Sequence, residues 1–252
     1  MRPMTMANQS RYYVSLGDSM SIDAYAGGAG RGAASLLFQN RNDDFPDWQG
    51  CDIKTVVANS RLIPLAQDGA TSATVRYAQI PRMKEMGVRP SLVTVTMGGN
   101  DLLQCFGSDE AAQSAHRSLW DHANAVLLSL RELAGPNTPV LVGTIYDPSD
   151  GSGNAEAAIA LPWPNALTWI RLFNQTLHAV AGEHGAIVAD IHGAFQGHGI
   201  QAGDTRQAES RPQNRALFYC GGIEPNAWGA GAIRGVWWET LRNAGFWSAV
   251  EA

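Results

Sequence analysis

Short apolar runs rich in β-branched and aromatic residues recur along the chain at residues 12–16, 61–67, 91–97, 140–145 and 186–191. Each has the length of a buried strand. The segments between them carry a helical period instead. In residues 111–134 the apolar positions Ala112, Ala115, Leu119, Ala123, Val126, Leu130 and Leu133 return every three or four residues and form one face. Ser108 is placed to cap that helix, Asp109 and Glu110 suit its first turn, and Gly135-Pro136 ends it. A second helix is predicted from Asn165, as cap, to His184, with Gly185 as its stop. A third follows Asn226, carries Ala230, Ile233, Trp237 and Leu241, and stops near Gly245. Strands that alternate with helices build βαβ units and a parallel sheet covered on both faces. The expectation is therefore a doubly wound, three-layer α/β domain of about five strands. Pro64 cannot donate to a ladder, so the second strand belongs at an edge, as it is in the order 2-1-3-4-5.

The chain has 252 residues, which suffices for one large core, so residues 11–252 are read as a single domain and 1–10 as a loose tail. Net charge is −5 and no Lys/Arg block stands out, which argues against nucleic acid or an anionic membrane as partner. No apolar run is long enough to span a bilayer, and residues 1–10 lack the apolar core of a secretory signal. Cys51, Cys105 and Cys220 are odd in number and widely spaced, which disfavours a disulfide framework or a zinc site and agrees with free thiols in a reducing, cytoplasmic setting.

Three turns fall at the C-terminal ends of predicted strands. These are Gly17-Asp18-Ser19-Met20, Asp68-Gly69-Ala70-Thr71-Ser72 and Gly98-Gly99-Asn100-Asp101. Ile223-Glu224-Pro225-Asn226 precedes the last helix. Open α/β sheets build their sites on that rim. The four turns would bring together a serine hydroxyl, a glycine amide, an asparagine amide and a carboxylate. Acyl transfer needs such a set: a serine is a weak nucleophile until a base takes its proton, and the tetrahedral intermediate needs fixed N–H donors. The Ser19 N–H, the Gly69 N–H and the Asn100 side chain are the candidate donors, and Gly69 offers its backbone without an intervening side chain.

On these residues the sequence resembles the GDSL, or SGNH, hydrolases over about residues 11–244. The resemblance makes Ser19 the nucleophile and places Gly69 and Asn100 in the oxyanion hole. It implies hydrolysis of a carboxylic ester or thioester on a flavodoxin-like three-layer fold, with a small-molecule ester as partner and no metal or organic cofactor. The fourth block departs from the family pattern of Asp-x-x-His followed by Pro. Here Gly221 stands at the Asp position and Glu224 at the His position. Three readings stay open. Glu224 is the base of a Ser–Glu dyad; or His192 or His198 is the base, oriented by Glu224; or the scaffold binds an acyl or glycan ligand without catalysis. An acyltransferase, in which an alcohol replaces water, carries the same sequence signature.

Other features are weaker. Long connections are expected at 19–32, 146–164 and 192–219, and the turn-rich stretch 147–154 with Trp163 is either a lid or pocket wall, or a surface loop. The glycine-rich stretch 27–32 lacks a Gly-Lys-Ser/Thr ending and is read as a mobile pocket loop, not a phosphate cradle. Asp18 and Asp101 are read as turn-stabilising acids, and Asp23 and the arginines 206, 211 and 215 as solvated loop residues. Trp237 and Trp238 are expected to divide between core and surface.

Overall fold

The computed structural model describes residues 10–154 and 162–247. The tail assigned to 1–10 therefore lies almost wholly outside the described residues, as does part of the connection 146–164. Five parallel strands, β1 (Arg11–Leu16), β2 (Ser60–Pro64), β3 (Pro90–Thr96), β4 (Val140–Gly143) and β5 (Ile187–Ala189), form one sheet in the order β2-β1-β3-β4-β5. Both the α/β class and the strand order agree with the sequence. Pro64 lies at the end of the edge strand β2.

Successive side chains of a strand face opposite ways, and the three central strands sort their apolar residues on that rule. Val14, Leu16, Val93, Val95, Val140 and Val142 enter one core; Tyr13, Leu92 and Leu141 enter the other. The first core is covered by the segment from α3 (Ser72–Thr74) through a π-helical turn (Val75–Gln79) to α4 (Ile80–Glu85), together with α6 (Asp109–Ala134) and α7 (Ala166–Glu183). The second is covered by α1 (Ala33–Phe38), α8 (Ile191–Phe195) and α9 (Ala227–Asn243). The short α2 (Ile53–Val56) precedes β2, and α5 (Gly99–Leu103) follows β3.

The helix signals carried over closely. Ser108 caps α6 by accepting from Ala111 N, and Gly135 ends it at φ +97°. The buried stripe includes Leu127, which the periodicity omitted, while Ala115 and Leu133 are partly buried against it. Asn165 precedes α7 as expected but makes no side-chain cap; its amide donates to Asp109 Oδ2 at 2.6 Å. Trp237 and Trp238 do not divide between core and surface: both are buried. α9 packs on α1 and closes the second core over its whole length, so adjacent positions of its broad inner face are covered. Arg234 goes in with them, its guanidinium 4.0 Å from the Trp48 ring and donating to Asn40 Oδ1 at 2.8 Å. Burial lowers its pKa to about 10.

At the end of β1, Gly17 has φ +118° and lies against β3 so closely that a Cβ would come within 2.2 Å of the Thr96 carbonyl oxygen. Only glycine fits both constraints. Gly17→Ala is expected to cost about 3–5 kcal/mol, from positive-φ strain plus overpacking. Urea denaturation of the two proteins measures this; equal midpoints would mean that the β1–β3 approach relaxes freely.

Candidate active site

The turn after β1 is fixed by side chains from two neighbouring segments. Gln79, in the π-helical turn, accepts from Gly17 N at 2.7 Å and donates through Nε2 to Gly17 O at 2.8 Å. Thr96, at the end of β3, donates to Asp18 Oδ1 at 2.8 Å and accepts from Asp18 N at 3.2 Å. Asp18 Oδ1 also takes Met20 N at 3.1 Å and so caps the single 3-10 turn Ser19–Ser21. Ser19 is thus the first residue of a short turn whose start is bonded on both sides. Asp18 is 2 % exposed. Burial raises its pKa to about 6 against the opposing pull of its hydrogen bonds from Thr96 and Met20, and nearby Asp101 adds to the rise. The turn-stabilising role expected for Asp18 is what its contacts supply.

The second and third turns are joined to each other. Asn100 Nδ2 donates to Ala70 O at 3.0 Å. Asp101 takes Ser72 N at 2.8 Å and Ser72 Oγ at 2.5 Å. Because the Ser72 proton goes to Asp101, the contact between Ser72 Oγ and His122 Nδ1 at 2.9 Å is donated by the imidazole. Thr71 caps α3 with a reciprocal bond to Thr74. Gly98 reaches α5 in a left-handed conformation at φ +99°. Gly69 has φ +67° and open space where a Cβ would be, so backbone conformation, and not a close approach, is what favours glycine there. No protein acceptor takes the N–H of Ser19 or Gly69 among the described residues.

The fourth turn lies on a two-stranded antiparallel hairpin, β6 (Tyr219–Cys220) and β7 (Glu224–Pro225), in which Cys220 faces Glu224. Asn226 anchors it. Its Nδ2 donates to Leu217 O at 2.7 Å and Tyr219 O at 3.1 Å, while its Oδ1 caps α9 on Trp228 N and Gly229 N. Tyr146 holds the other side, its OH donating to Ile223 O at 2.6 Å. Glu224 is mostly buried, and Oε2 has no hydrogen-bond partner. Burial is the main cause that raises its pKa to about 7; hydrogen bonding with the Ser19 side chain opposes the rise, and the charges of Asp68 and Asp18 add to it. Asp68 in turn accepts from Tyr25 OH at 2.8 Å, which, with burial, pushes the tyrosine up to about 12.

The histidines are engaged elsewhere. His192 Nδ1 donates to Ile145 O at 3.0 Å, with Nε2 toward Gln196. His198 Nδ1 donates to Ala216 O at 2.7 Å and its ring stacks on Phe218 at 3.8 Å. Asp23 is not a solvated loop acid: it accepts from Gly30 N and Gly32 N at 2.8 and 2.7 Å, which folds the glycine-rich stretch onto itself. Arg211 pairs with Asp44 and sits with Arg215 on Trp228, and Arg206 pairs with Asp204. Cys51, Cys105 and Cys220 are free thiols, and among the described residues no cluster of His, Cys, Asp or Glu is arranged to hold a metal. No described helix is long and apolar enough to cross a membrane.

A cleft opens beside the serine, lined by Asp18, Ser19 and Asn100 on the sheet rim and by Asp147, Pro148 and Ser149 from the connection after β4. That connection is a pocket wall, one of the two roles left open by the sequence. Asp147 folds it by accepting from Ser149 N, Ser149 Oγ and Gly151 N. Asp150 ties it to the next loop by accepting from Gly197, Gly199 and Gln201 N–H groups. Sequence reasoning missed Gln79, inside a helical segment, Thr96, inside an apolar run, and Tyr146, at the start of a connection; none carries a motif of its own. It read Asn226 only as a helix start; the Glu-Pro-Asn order before a helix was the available signal.

The profile of the GDSL-like Lipase/Acylhydrolase family matches residues 15–230, and the chain belongs to that family. It is a hydrolase of the esterase and lipase class. Among solved structures it is similar to LAE5, an alpha/beta hydrolase from the metagenome of Lake Arreo, Spain, at 17% identity and TM-score 0.61, covering 94% of this chain and 98% of that one. It is also similar to an acetyl xylan esterase variant from Geobacillus stearothermophilus, at 14% identity and TM-score 0.59, covering 96% and 98%. TesA matches at 22% identity and TM-score 0.55, covering 92% and 99%. At these identities the likeness is one of fold. No curated protein matches the sequence.

The raised carboxyl has a thermodynamic consequence. Folded Glu224 ionises near pH 7, against about 4.3 for an unfolded glutamate. The folded state holds that proton more tightly, so the contribution is full below about pH 4 and is lost as pH rises through 7. Glu224→Gln is therefore expected to be the more stable protein at pH 8, by about 2 kcal/mol after a discount for partial exposure. The difference closes below about pH 4. Thermal melts of both proteins across pH 4–8 check this, and parallel curves would contradict it.

Proposed function

We propose that this protein is a serine esterase that cleaves a carboxylic ester or thioester through an acyl-Ser19 intermediate, with Glu224 as the base. One observation carries the reading: β7, which bears Glu224, packs against the Ser19–Ser21 turn, and burial brings the Glu224 pKa to about 7, with the Ser19 hydroxyl opposing the rise. An ordinary glutamate is too weak a base to compete with histidine near neutral pH; one that titrates near 7 matches the task. His192 and His198 lend support because each is held on a backbone carbonyl and neither is bonded to the serine.

In the proposed reaction the Ser19 proton passes to Glu224 as Oγ bonds to the ester carbonyl carbon. The oxyanion is received by the Ser19 N–H, the Gly69 N–H and the Asn100 amide, whose second hydrogen is not the one given to Ala70 O. Collapse breaks the bond to the leaving oxygen or sulfur, and Glu224 returns the proton to it. Water then attacks the acyl-serine, gives its proton to Glu224, and the cycle closes as that proton returns to Ser19 Oγ. An alcohol in place of water makes the same machinery an acyltransferase.

Turnover of nitrophenyl esters tests each part. Ser19→Ala is expected to lower kcat by about 10⁴-fold or more, and Asn100→Ala by about 10²–10³-fold. Wild-type kcat/KM should rise with pH through about 7, the side on which Glu224 is ionised, and Glu224→Gln should remove both the rise and most of the rate. His192→Ala and His198→Ala should stay within a few-fold of wild type. Activity that survives Ser19→Ala would overturn the serine mechanism, and a loss beyond about 10²-fold at either histidine would overturn Glu224 as the sole base.

A further inference from the structure

The cleft beside Ser19 changes character away from the sheet rim. Beyond Asn100 its walls are Leu102, Leu103 and Phe106, on α5 and the turn after it, faced by Ile145 and by Ile170 of α7. Trp163 also lines it, 3 % exposed, its ring edge-on to Phe106 with centroids 5.2 Å apart. Sugar hydroxyls buried against such walls would lose their hydrogen bonds at a cost that aliphatic groups do not incur.

From these observations we propose that the cleft binds the acyl half of the ester, and that this half is an unbranched aliphatic chain of medium length. The assignment rests on the serine-esterase reading. Asn100 lines the cleft, while of the hairpin that bears Glu224 only Ile223 reaches it and Glu224 does not. The leaving alcohol has to depart on the side of the group that protonates it, so the cleft on the Asn100 side is left to the acyl chain.

The length follows from the wall. Phe106 follows Asn100 by six positions, the first three in α5 and the rest in a tighter turn with bonds from Cys105 N to Leu102 O and Phe106 N to Leu103 O, which at about 1.5–2.0 Å per position is at least about 9 Å. Carbon–carbon bonds of about 1.5 Å advance an extended chain by about 1.3 Å each, so about seven carbons fit alongside. Trp163 is the stop. Its Nε1 donates to Asp109 Oδ1 at 2.9 Å, and the same carboxylate takes Trp169 Nε1 at 2.8 Å and Asn165 Nδ2 at 2.6 Å. The indole is therefore tied to the first turn of α6 and cannot swing aside without breaking a shared set of bonds. Trp169, then Asn165 and Trp163, hold the Asp109 carboxyl below the usual carboxylate range.

The test separates binding from turnover. Octanamide and acetamide are neutral, so Asp18 and Glu224 do not repel them. Titration calorimetry on the wild-type protein should show octanamide bound at least about 30-fold more tightly, on about threefold per buried methylene over part of the chain. Affinities within threefold of each other would overturn the proposal, whatever the protein does to esters. In kinetics, kcat/KM should climb from nitrophenyl acetate to the octanoate and fall by the laurate, and a flat or descending series would also overturn it. Preference for octyl acetate over ethyl octanoate would put the chain on the alcohol side and overturn the acyl assignment. Trp163→Ala should move the optimum to longer chains. Ala166→Phe, in the same cleft, should lose octanoate turnover at least tenfold and keep acetate turnover; Ile170→Phe repeats this arm if the former melts early. Octanamide selectivity with no ester cleaved at any length would support the chain site and remove the esterase reading.

Discussion

The site depends on one side chain that does no chemistry. Gln79 bonds both the N–H and the C=O of Gly17, completing the last backbone pair of β1 at a point where the sheet has run out. Gly17 cannot be braced by its own side chain, and it lies against Thr96 at a distance no other residue tolerates. Without Gln79 the Gly17 N–H would lose its partner, and only Gln67 N on Gly17 O and Thr96 on Asp18 would be left to hold the turn that carries Ser19. Gln79 reaches it because residues 75–79 form a π-helical turn between α3 and α4. One extra residue per turn rotates the helix face, and such insertions recur at functional sites. The same helix begins at Ser72, which Asp101 holds. A single helical segment thus fixes the serine turn at one end and the paired second and third turns at the other.

Around that frame the charges are arranged unusually for a serine site. Asp18, Asp68 and Glu224 all act on the same region, and the influences that shift Glu224 include no cation. With a histidine base, proton transfer creates an ion pair from neutral groups, and an aspartate is needed to stabilise the imidazolium. With a glutamate base the carboxylate becomes neutral as the oxyanion forms. Negative charge moves from Glu224 to the oxyanion hole, and no new pair is made. An orienting aspartate would then only repel the base. The co-occurrence of Gly221 and Glu224 is consistent with that logic, because both members of the usual pair change together.

The fold was legible because its signals are local and redundant. Strand length, helix period, the Ser108 and Asn226 caps and Pro64 at an edge all pointed to one architecture. The turns that carry Ser19, Gly69 and Asn100 were legible for a related reason: each follows a predicted strand. What sequence could not show was support that comes from far along the chain. Gln79 and Gly17 are 62 positions apart, Tyr146 and Ile223 are 77. Nothing in an apolar run marks Thr96, and nothing at the start of a connection marks Tyr146, as a hydrogen-bond donor to a distant turn. Trp237-Trp238 failed differently: a one-stripe rule does not apply to a helix buried on a broad face, as α9 is.

A glutamate base makes a demand that explains the hairpin behind it. Glutamate has one more rotatable bond than histidine and loses up to about 2 kcal/mol of rotamer freedom when fixed. It also has no ring nitrogen left over to be held from behind, and here Oε2 is without a partner. Its position therefore has to come from the backbone. That is what β6 and β7 provide: two residues on each side, Tyr146 on the Ile223 carbonyl, and Asn226 with all four of its hydrogen-bonding positions in use. The rigidity that an Asp–His pair supplies through side chains is supplied here by a backbone clamp immediately before α9. Under the proposed mechanism the unpartnered oxygen fits the same design, since any donor placed on it would pull the pKa of Glu224 back down and make the carboxylate a weaker base.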